Sequence, residues 1–166
     1  MGIERTRRTT INSNLRPIKI YLDTNVWCRP FDEQTQQRII DEGEASLKIL
    51  EKAHAERKYT IIGSLILDDE VKQIKGRRKR EAVKTIMALF ISQKVRSFSK
   101  STVRDLKTVG LKDKDALHLA FALHDSAKYF ITTDDYISKR EKDIEKEYKI
   151  KVKNPIEFIE ENGNKI

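Results

Sequence analysis

The most constraining feature of the chain is an apolar segment that ends in a carboxylate and occurs twice. Residues 18–22 have the composition of a buried strand, and Asp23 follows them directly. Residues 129–133 form a second short apolar segment, which is followed by Asp134. In an open α/β sheet the ligand crevice lies outside the carboxyl ends of the parallel strands. The two segments therefore predict a fold that gathers acidic side chains at one edge of a sheet.

Predicted strands and helices alternate along the rest of the chain. Further strands are expected at residues 59–63, 95–98 and 148–152, and a long helix at residues 35–57. Residues 114–127 leave almost no polar face, which is typical of a helix buried at the centre of a domain. This order predicts an α/β fold, a three-layer α/β/α sandwich with a central, mainly parallel sheet. The core face expected for the helix at 35–57 carries Ile40, Gly43, Leu47, Leu50 and His54.

The length of 166 residues suits one domain with its own core. Residues 1–16 are rich in arginine and polar side chains, and they predict a flexible basic N-terminal arm. The folded domain is expected to span residues 17–160, and residues 161–166 to form a C-terminal tail.

Charge and cysteine content narrow the class of protein. Lysine and arginine total 34 against 26 acidic residues, giving a net charge of +8 that favours a polyanionic partner such as nucleic acid. Cys28 is the single cysteine, which excludes an internal disulfide and fits a reducing cytoplasm. The sequence shows no signal peptide and no apolar run near the ~20 residues of a membrane span. We therefore expect a cytoplasmic protein without a membrane partner.

Four acids lie near predicted strand-to-helix transitions, which share one edge in a parallel sheet. They are Asp23, Glu70, Asp115 and Asp134. Clustered carboxylates repel one another, and a divalent cation relieves that repulsion. An all-oxygen set of ligands without Cys suits Mg²⁺ or Mn²⁺. The four acids are thus candidate metal ligands and candidate catalytic residues for hydrolysis of a phosphodiester.

The neighbours of these acids leave some assignments open. Asp69 competes with Glu70, and Asp135 with Asp134, because a shift of one residue is within the uncertainty of element boundaries. His118 follows Asp115 by one helical turn, so it either touches the site or is a hydrogen-bonded core histidine.

Supporting roles are expected for a second set of residues. Asn25 and Thr132 would orient the carboxylates or a bound water through hydrogen bonds, and Asp135 would assist beside Asp134. The densest basic run, at residues 77–80, is the candidate contact for a nucleic-acid backbone. It consists of Arg77, Arg78, Lys79 and Arg80.

Four segments together resemble the motifs of the PIN-domain family over about residues 18–158. Residues 20–25 (Ile-Tyr-Leu-Asp-Thr-Asn) resemble its first motif, an apolar strand ending in Asp-x-Asn. Residues 64–71 resemble the second, a serine followed by an apolar stretch and a helical glutamate. Residues 114–120 resemble the third, an aspartate that opens an alanine-rich helix. Residues 131–135 resemble the fourth, a strand ending in Thr-x-Asp.

This resemblance implies a metal-dependent ribonuclease that leaves a 5′-phosphate and a 3′-hydroxyl. It further implies a VapC-type toxin of a type II toxin–antitoxin pair, with a homodimer and a small antitoxin protein as partners. The chain departs from the commonest toxins in its basic arm and its charged C-terminal tail. The alternative is a non-catalytic RNA-binding or scaffold domain that keeps the PIN-like fold.

Overall fold

The computed structural model describes residues 17–162, which form five strands and nine helices. The strands are β1 (Ile18–Leu22), β2 (Tyr59–Ser64), β3 (Gln93–Val95), β4 (Tyr129–Ile131) and β5 (Lys151–Lys153). The first five helices are α1 (Thr24–Cys28), α2 (Gln37–Glu56), α3 (Leu65–Lys72), α4 (Arg77–Phe90) and α5 (Lys100–Thr108). The last four are α6 (Asp113–His124), α7 (Asp135–Ser138), α8 (Glu141–Tyr148) and α9 (Pro155–Asn162), and a 3₁₀ turn at Arg29–Phe31 follows α1.

The sheet has the strand order β3-β2-β1-β4-β5, and every neighbouring pair is parallel. The register pairs Ile20 with Ile61 on one side and with Tyr129 on the other. Because β1 is central, the loops that leave β1, β2 and β4 open at the same edge. The predicted α/β fold with a parallel central sheet is confirmed.

Alternate side chains of the strands enter two separate cores. Ile20, Leu22 and Ile131 pack with α1, α2, α4 and α9 on one face. Tyr21 and Phe130 pack with α5, α6, α7 and α8 on the other. Burial of both faces explains why the inner strands β1, β2 and β4 are nearly uninterrupted apolar runs. The helices on either side complete the three layers.

Two expected strands and one helix face differ from the structure. The third strand ends at Val95 instead of starting there, and the last covers Lys151–Lys153, after the αL residue Lys149. On α2, Leu47 is 46% exposed and His54 is exposed, so the expected core face was wrong at these positions. A buried glutamate, Glu42, replaces them on the inner side.

Gly43 explains why α2 packs so closely on the turn after α1. A Cβ at this position would lie 3.2 Å from the carbonyl oxygen of Arg29, so any side chain would push the helix away. The inward position expected for Gly43 is confirmed, since the residue is buried.

Some sequence-based expectations fall at the ends of the chain. The arm at residues 1–16 and the last part of the tail, residues 163–166, lie outside the described residues. Helix α9 continues to Asn162, across the boundary expected after residue 160. Within residues 17–162, none of the helices has the length and apolar character needed to cross a membrane.

Candidate active site

A cavity of about 510 Å³ lies where the carboxyl ends of β1 and β4 meet. All four acids predicted from the sequence line it, together with Lys114 and His118. A cavity of about 610 Å³ between α3, α4 and β3 is larger, but its one acid, Asp68, is paired with Lys94 at 2.6 Å. The charged cavity is therefore the candidate active site.

Asp23 is fixed by three hydrogen bonds at the start of α1. Its Oδ1 accepts the backbone N–H of Thr24 at 2.8 Å, so Asp23 caps the helix. Its Oδ2 accepts the Thr132 hydroxyl at 2.8 Å and the Asn25 side-chain amide at 3.1 Å. Burial raises the pKa of Asp23, while His118 and these donors lower it in part. Asn25 and Thr132 thus hold this carboxylate, as expected from the sequence.

Asn25 also joins β1 to the loop after β4. Its Oδ1 accepts the backbone N–H of Thr133 at 3.0 Å, and the Thr132 hydroxyl accepts the N–H of Asp134 at 3.1 Å. These short side chains determine the path of the chain between β4 and α7. The geometry explains why an Asp-x-Asn segment and a Thr-x-Asp segment face each other.

Glu70 extends into the cavity from the second turn of α3. Its Oε2 accepts the Thr24 hydroxyl at 2.6 Å, and its Oε1 lies 2.9 Å from Nε2 of His118. Burial would raise the pKa of Glu70, but the hydrogen bond and the charge of His118 lower it overall. Burial would lower the pKa of His118, but Glu70, Asp23 and Asp115 raise it. The two shifts agree, since each partner favours the charged form of the other.

Asp115 differs from the other acids because it has no partner. It lies in the first turn of α6, where the helix dipole favours a negative charge. Within residues 17–162 its carboxylate makes no hydrogen bond or ion pair. Burial and the charges of Asp23 and Asp134 raise its pKa to about 6. The charged form of this carboxylate is therefore disfavoured at neutral pH.

The structure also separates the acids that the sequence left as alternatives. Asp134 caps α7 through the N–H of Tyr136 at 2.8 Å and lines the cavity. Asp135 instead forms two hydrogen bonds with Arg38, at 2.8 and 2.9 Å, which lower its pKa. Asp69 is exposed and accepts a hydrogen bond from Gln73. Glu70 and Asp134 are thus placed at the cavity, and Asp69 and Asp135 are not.

The basic run at the start of α4 divides into two pairs. The ammonium of Lys79 is paired with Asp32, and Arg80 donates to the carbonyl of Ile74 at 3.0 Å. Arg77 and Arg78 are exposed and have no ion pair within the part of the chain that the structure describes. Since Ile74 itself lines the cavity, the start of α4 borders the candidate active site.

The side chains that line the cavity are chemically suited to a divalent cation, but they are not arranged to hold one in this structure. Its carboxylates offer the oxygen ligands that Mg²⁺ and Mn²⁺ prefer. Burial and the charges of Asp23 and Asp134 raise the pKa of Asp115, and a bound cation would offset both. Among residues 17–162, however, no three His, Cys, Asp or Glu side chains are arranged to hold a metal ion. A cation would therefore have to draw these carboxylates together.

Sequence reasoning missed several residues of the site. The sequence assigns no role to Thr24 or Tyr21, yet Thr24 contacts Glu70 and Tyr21 contacts His118. For His118 both alternatives apply, since it is hydrogen-bonded in the core and lines the cavity. Cys28 also lines the cavity, where burial raises the pKa of its thiol to about 11.

Comparison with known proteins finds similarity at the level of structure. The chain matches no protein-family model and no curated protein. Its fold is similar to a chain in the crystal structure of VapBC2 from Rickettsia felis bound to a DNA fragment from their promoter. The TM-score is 0.56 with 16% sequence identity, over 82% of this chain and 98% of that chain. At this identity the similarity establishes the fold alone.

Proposed function

We propose that the chain is a metal-dependent endoribonuclease and the toxin of a type II toxin–antitoxin pair. The observation that carries the proposal is the convergence of Asp23, Glu70, Asp115 and Asp134 on one cavity, where Asp115 has no protein partner. The fold similarity to a toxin–antitoxin complex supports the same assignment.

In this proposal the four acids hold Mg²⁺ or Mn²⁺. When bound, the cation would activate water for attack on phosphorus and stabilise the leaving oxygen. Thr132 and Asn25 keep the Asp23 carboxylate turned toward the cavity, and Thr24 does the same for Glu70. These hydrogen bonds leave further lone pairs on each carboxylate for a ligand.

Cationic side chains beside the cavity would hold the RNA backbone. Lys114 lines the cavity and has no ion pair within residues 17–162. Arg77 and Arg78 open α4, although the helix dipole disfavours cations at that end and no acid offsets them. A bound phosphate would stabilise this arrangement, and the net charge of +8 would attract the polyanion.

No side-chain nucleophile is required by this mechanism. Cys28 is the one thiol in the sequence, and its pKa of about 11 keeps it protonated at neutral pH. An attacking water is therefore preferred over a covalent intermediate on this residue.

Cleavage of RNA with defined metal content tests the proposal. Purified protein should cleave single-stranded or structured RNA with Mg²⁺ or Mn²⁺, and EDTA should abolish cleavage. Asp115→Asn should be inactive, whereas the matched variant Asp113→Asn, in the same turn of α6 but paired with Lys107, should be active. Cleavage that persists in EDTA would refute the metal mechanism.

The assignment as a toxin predicts effects in cells and in assemblies. Expression of the wild-type protein in the cytoplasm should arrest growth, and Asp115→Asn should not. Light scattering should give the mass of a homodimer. Co-expression with a small protein encoded by a neighbouring gene should restore growth if that gene specifies the antitoxin.

A non-catalytic RNA-binding or scaffold domain is the second candidate. It is favoured by the absence, among residues 17–162, of three side chains arranged to hold a metal. This candidate predicts salt-dependent RNA binding without cleavage at any Mg²⁺ or Mn²⁺ concentration, and no change in binding for Asp115→Asn.

A further inference from the structure

We infer that His118 is a positioning residue for Glu70, and that Tyr21 and Ser64 fix the orientation of its ring. We name Ser64, Tyr21 and His118 the Tyr21 relay. The inference rests on the proposed function, because it assigns a task to Glu70 in binding the cation. It adds three residues that would determine the geometry of the site without touching the metal.

Glu70 needs positioning more than the other acids of the cavity do. Asp23 and Asp134 each cap a helix, so backbone N–H groups hold their carboxylates. Asp115 is short and lies in the first turn of α6. Glu70 has an additional methylene group, lies further along its helix, and is held by side chains alone. Its placement depends on the donors that meet it.

The direction of the hydrogen bonds follows from the chemistry of the groups. A carboxylate only accepts, so Nε2 of His118 donates to Glu70 at 2.9 Å. When the ring is neutral, Nδ1 accepts from the hydroxyl of Tyr21 at 2.6 Å. That oxygen in turn accepts from the hydroxyl of Ser64 at 2.6 Å, and Ser64 accepts the backbone N–H of Leu67. Each donor in the relay then has an acceptor.

The contact with Glu70 is the same in both protonation states of the ring. Nε2 carries hydrogen in the imidazolium ion and in the neutral tautomer assigned from these bonds. With both ring nitrogens engaged by Tyr21 and Glu70, His118 is committed to hydrogen bonding and is not free to bind a metal. Its task is therefore to orient Glu70.

The relay closes a ring of contacts that begins and ends on α3. Ser64 caps this helix, and Glu70 lies in its second turn. Between them the relay crosses β1 through Tyr21 and α6 through His118, and all three relay residues are at most 1% exposed. Loss of one member would leave a buried polar group without a hydrogen-bond partner, which costs free energy. The relay therefore holds α3, β1 and α6 in one relative position.

The relay can be tested by measuring the affinity for Mn²⁺ with calorimetry. His118→Leu should weaken Mn²⁺ binding about 10-fold, and Tyr21→Phe, which retains the ring and its stacking on Phe130, should weaken it less. The matched control is Tyr59→Phe, which removes a buried hydroxyl in the other core that has no hydrogen-bond partner among residues 17–162. This control should bind Mn²⁺ like the wild type.

A double-mutant cycle separates positioning from general stabilisation of the fold. If His118 acts through Glu70, the effect of His118→Leu on Mn²⁺ affinity should vanish in a Glu70→Gln background. An equal loss in both backgrounds, or no loss in either, would overturn the inference. Tyr21→Phe provides the same comparison if His118→Leu does not fold.

Crystal structures of the variants give a readout that does not require the metal. In Tyr21→Phe or His118→Leu the carboxylate of Glu70 should turn away from the cavity, and an unchanged Glu70 would overturn the inference. If the wild type binds no Mn²⁺ and cleaves no RNA, the proposed function fails by itself. If the wild type binds Mn²⁺ and the relay variants bind it equally well, only the inference fails.

Discussion

Two groups of carboxylates lie on the same edge of the sheet, and they differ in how completely their charges are paired. The first comprises the cavity acids, Asp23, Glu70, Asp115 and Asp134. The second is centred on Glu42 of α2, which is completely buried. Asp134 and Asp135 are adjacent in sequence, yet one belongs to the cavity and the other bonds to Arg38, which also contacts Glu42.

Each oxygen of Glu42 is matched by a donor. Arg29 reaches Oε1 at 3.1 Å, and Arg38 lies 3.4 Å from the same oxygen. The side-chain amide of Asn154 donates to Oε2, which attaches the residue before α9 to α2. Asp115, in contrast, makes no ion pair within residues 17–162. Burial and the charges of Asp23 and Asp134 raise its pKa, and the charges of His118 and Lys112 offset this only in part. The comparison teaches that Glu42, a carboxylate that holds the fold together, is fully paired, whereas the cavity keeps Asp115 without an ion pair within residues 17–162 and so available to a ligand.

The largest effect on stability is expected from removing a partner of Glu42, the buried carboxylate whose charge is paired. Arg29→Ala should lower the free energy of unfolding by about 3 kcal/mol, because it leaves the buried charge of Glu42 partly uncompensated. Denaturation in urea measures this free energy. The control Arg78→Ala removes an exposed arginine that has no ion pair within residues 17–162, and it should change the free energy of unfolding by less than about 0.5 kcal/mol. Equal effects of the two variants would contradict the comparison.

A smaller loss is expected at Asp23, a cavity acid that also supports the fold through three hydrogen bonds. Asp23→Asn should destabilise the metal-free protein by about 1 kcal/mol, because an amide cannot accept from Thr24, Asn25 and Thr132 together. Its melting temperature in EDTA should fall below that of the wild type. A rise instead would mean that relief of repulsion outweighs these hydrogen bonds.

Asp115→Asn should have the opposite sign. The folded pKa of about 6 is raised above the unfolded value, so protonation stabilises the fold below pH ~4 and this contribution is lost as pH rises through 6. The neutral asparagine retains the contribution. In EDTA at pH 7.5 the variant should be about 1 kcal/mol more stable than the wild type, after allowance for solvent screening.

The gap between Asp115→Asn and the wild type should close as the pH is lowered toward 4. Melting temperatures measured across this range in EDTA test the sign. A variant that is less stable than the wild type at pH 7.5 would show that Asp115 is structural.

The distinction between paired and unpaired charges also applies to the cations at the start of α4, where we expect the smallest effect. Lys79 is balanced by Asp32, whereas Arg77 and Arg78 are not balanced. Replacing Arg77 and Arg78 by serine should reduce the slope of log affinity for RNA against log salt by about 1.4, at ~0.7 per phosphate contact. The matched control replaces Lys142 and Lys146, two exposed lysines of α8. An equal change in the control would place the RNA path elsewhere.

The sequence predicted the parts of the fold and site that depend on local pattern. Buried parallel strands are continuous apolar runs, so β1 and β4, and hence Asp23 and Asp134, could be located, although β4 ends at Ile131, two residues before the end expected from the sequence. The short strand β3 could not be located as well, because Gln93 and Lys94 are exposed at the edge of the sheet and carry no apolar signal. Its position depends on pairing with β2.

Long-range partners account for what the sequence did not reveal. Nothing local distinguishes Glu42 from the exposed glutamates of α2, since its burial depends on Asn154, 112 positions away. The choice between Asp69 and Glu70 depends on the rotation of α3, which Ser64 sets by capping the helix. Thr24 and Tyr21 could not be identified because their partners lie on other elements.

The strand order has a consequence for the timing of synthesis. Asp23 and Glu70 lie beside β1 and β2, two strands that can pair early in synthesis. His118, the partner of Glu70, is synthesised 48 positions later. A ribosome covers that interval in roughly 2–10 s at about 5–20 residues per second. Because β4 must then insert beside β1, a product truncated before Asp134 carries three cavity acids, Asp23, Glu70 and Asp115, without the loop that encloses them. A translating ribosome would therefore release the proposed ribonuclease activity only after β4 has emerged.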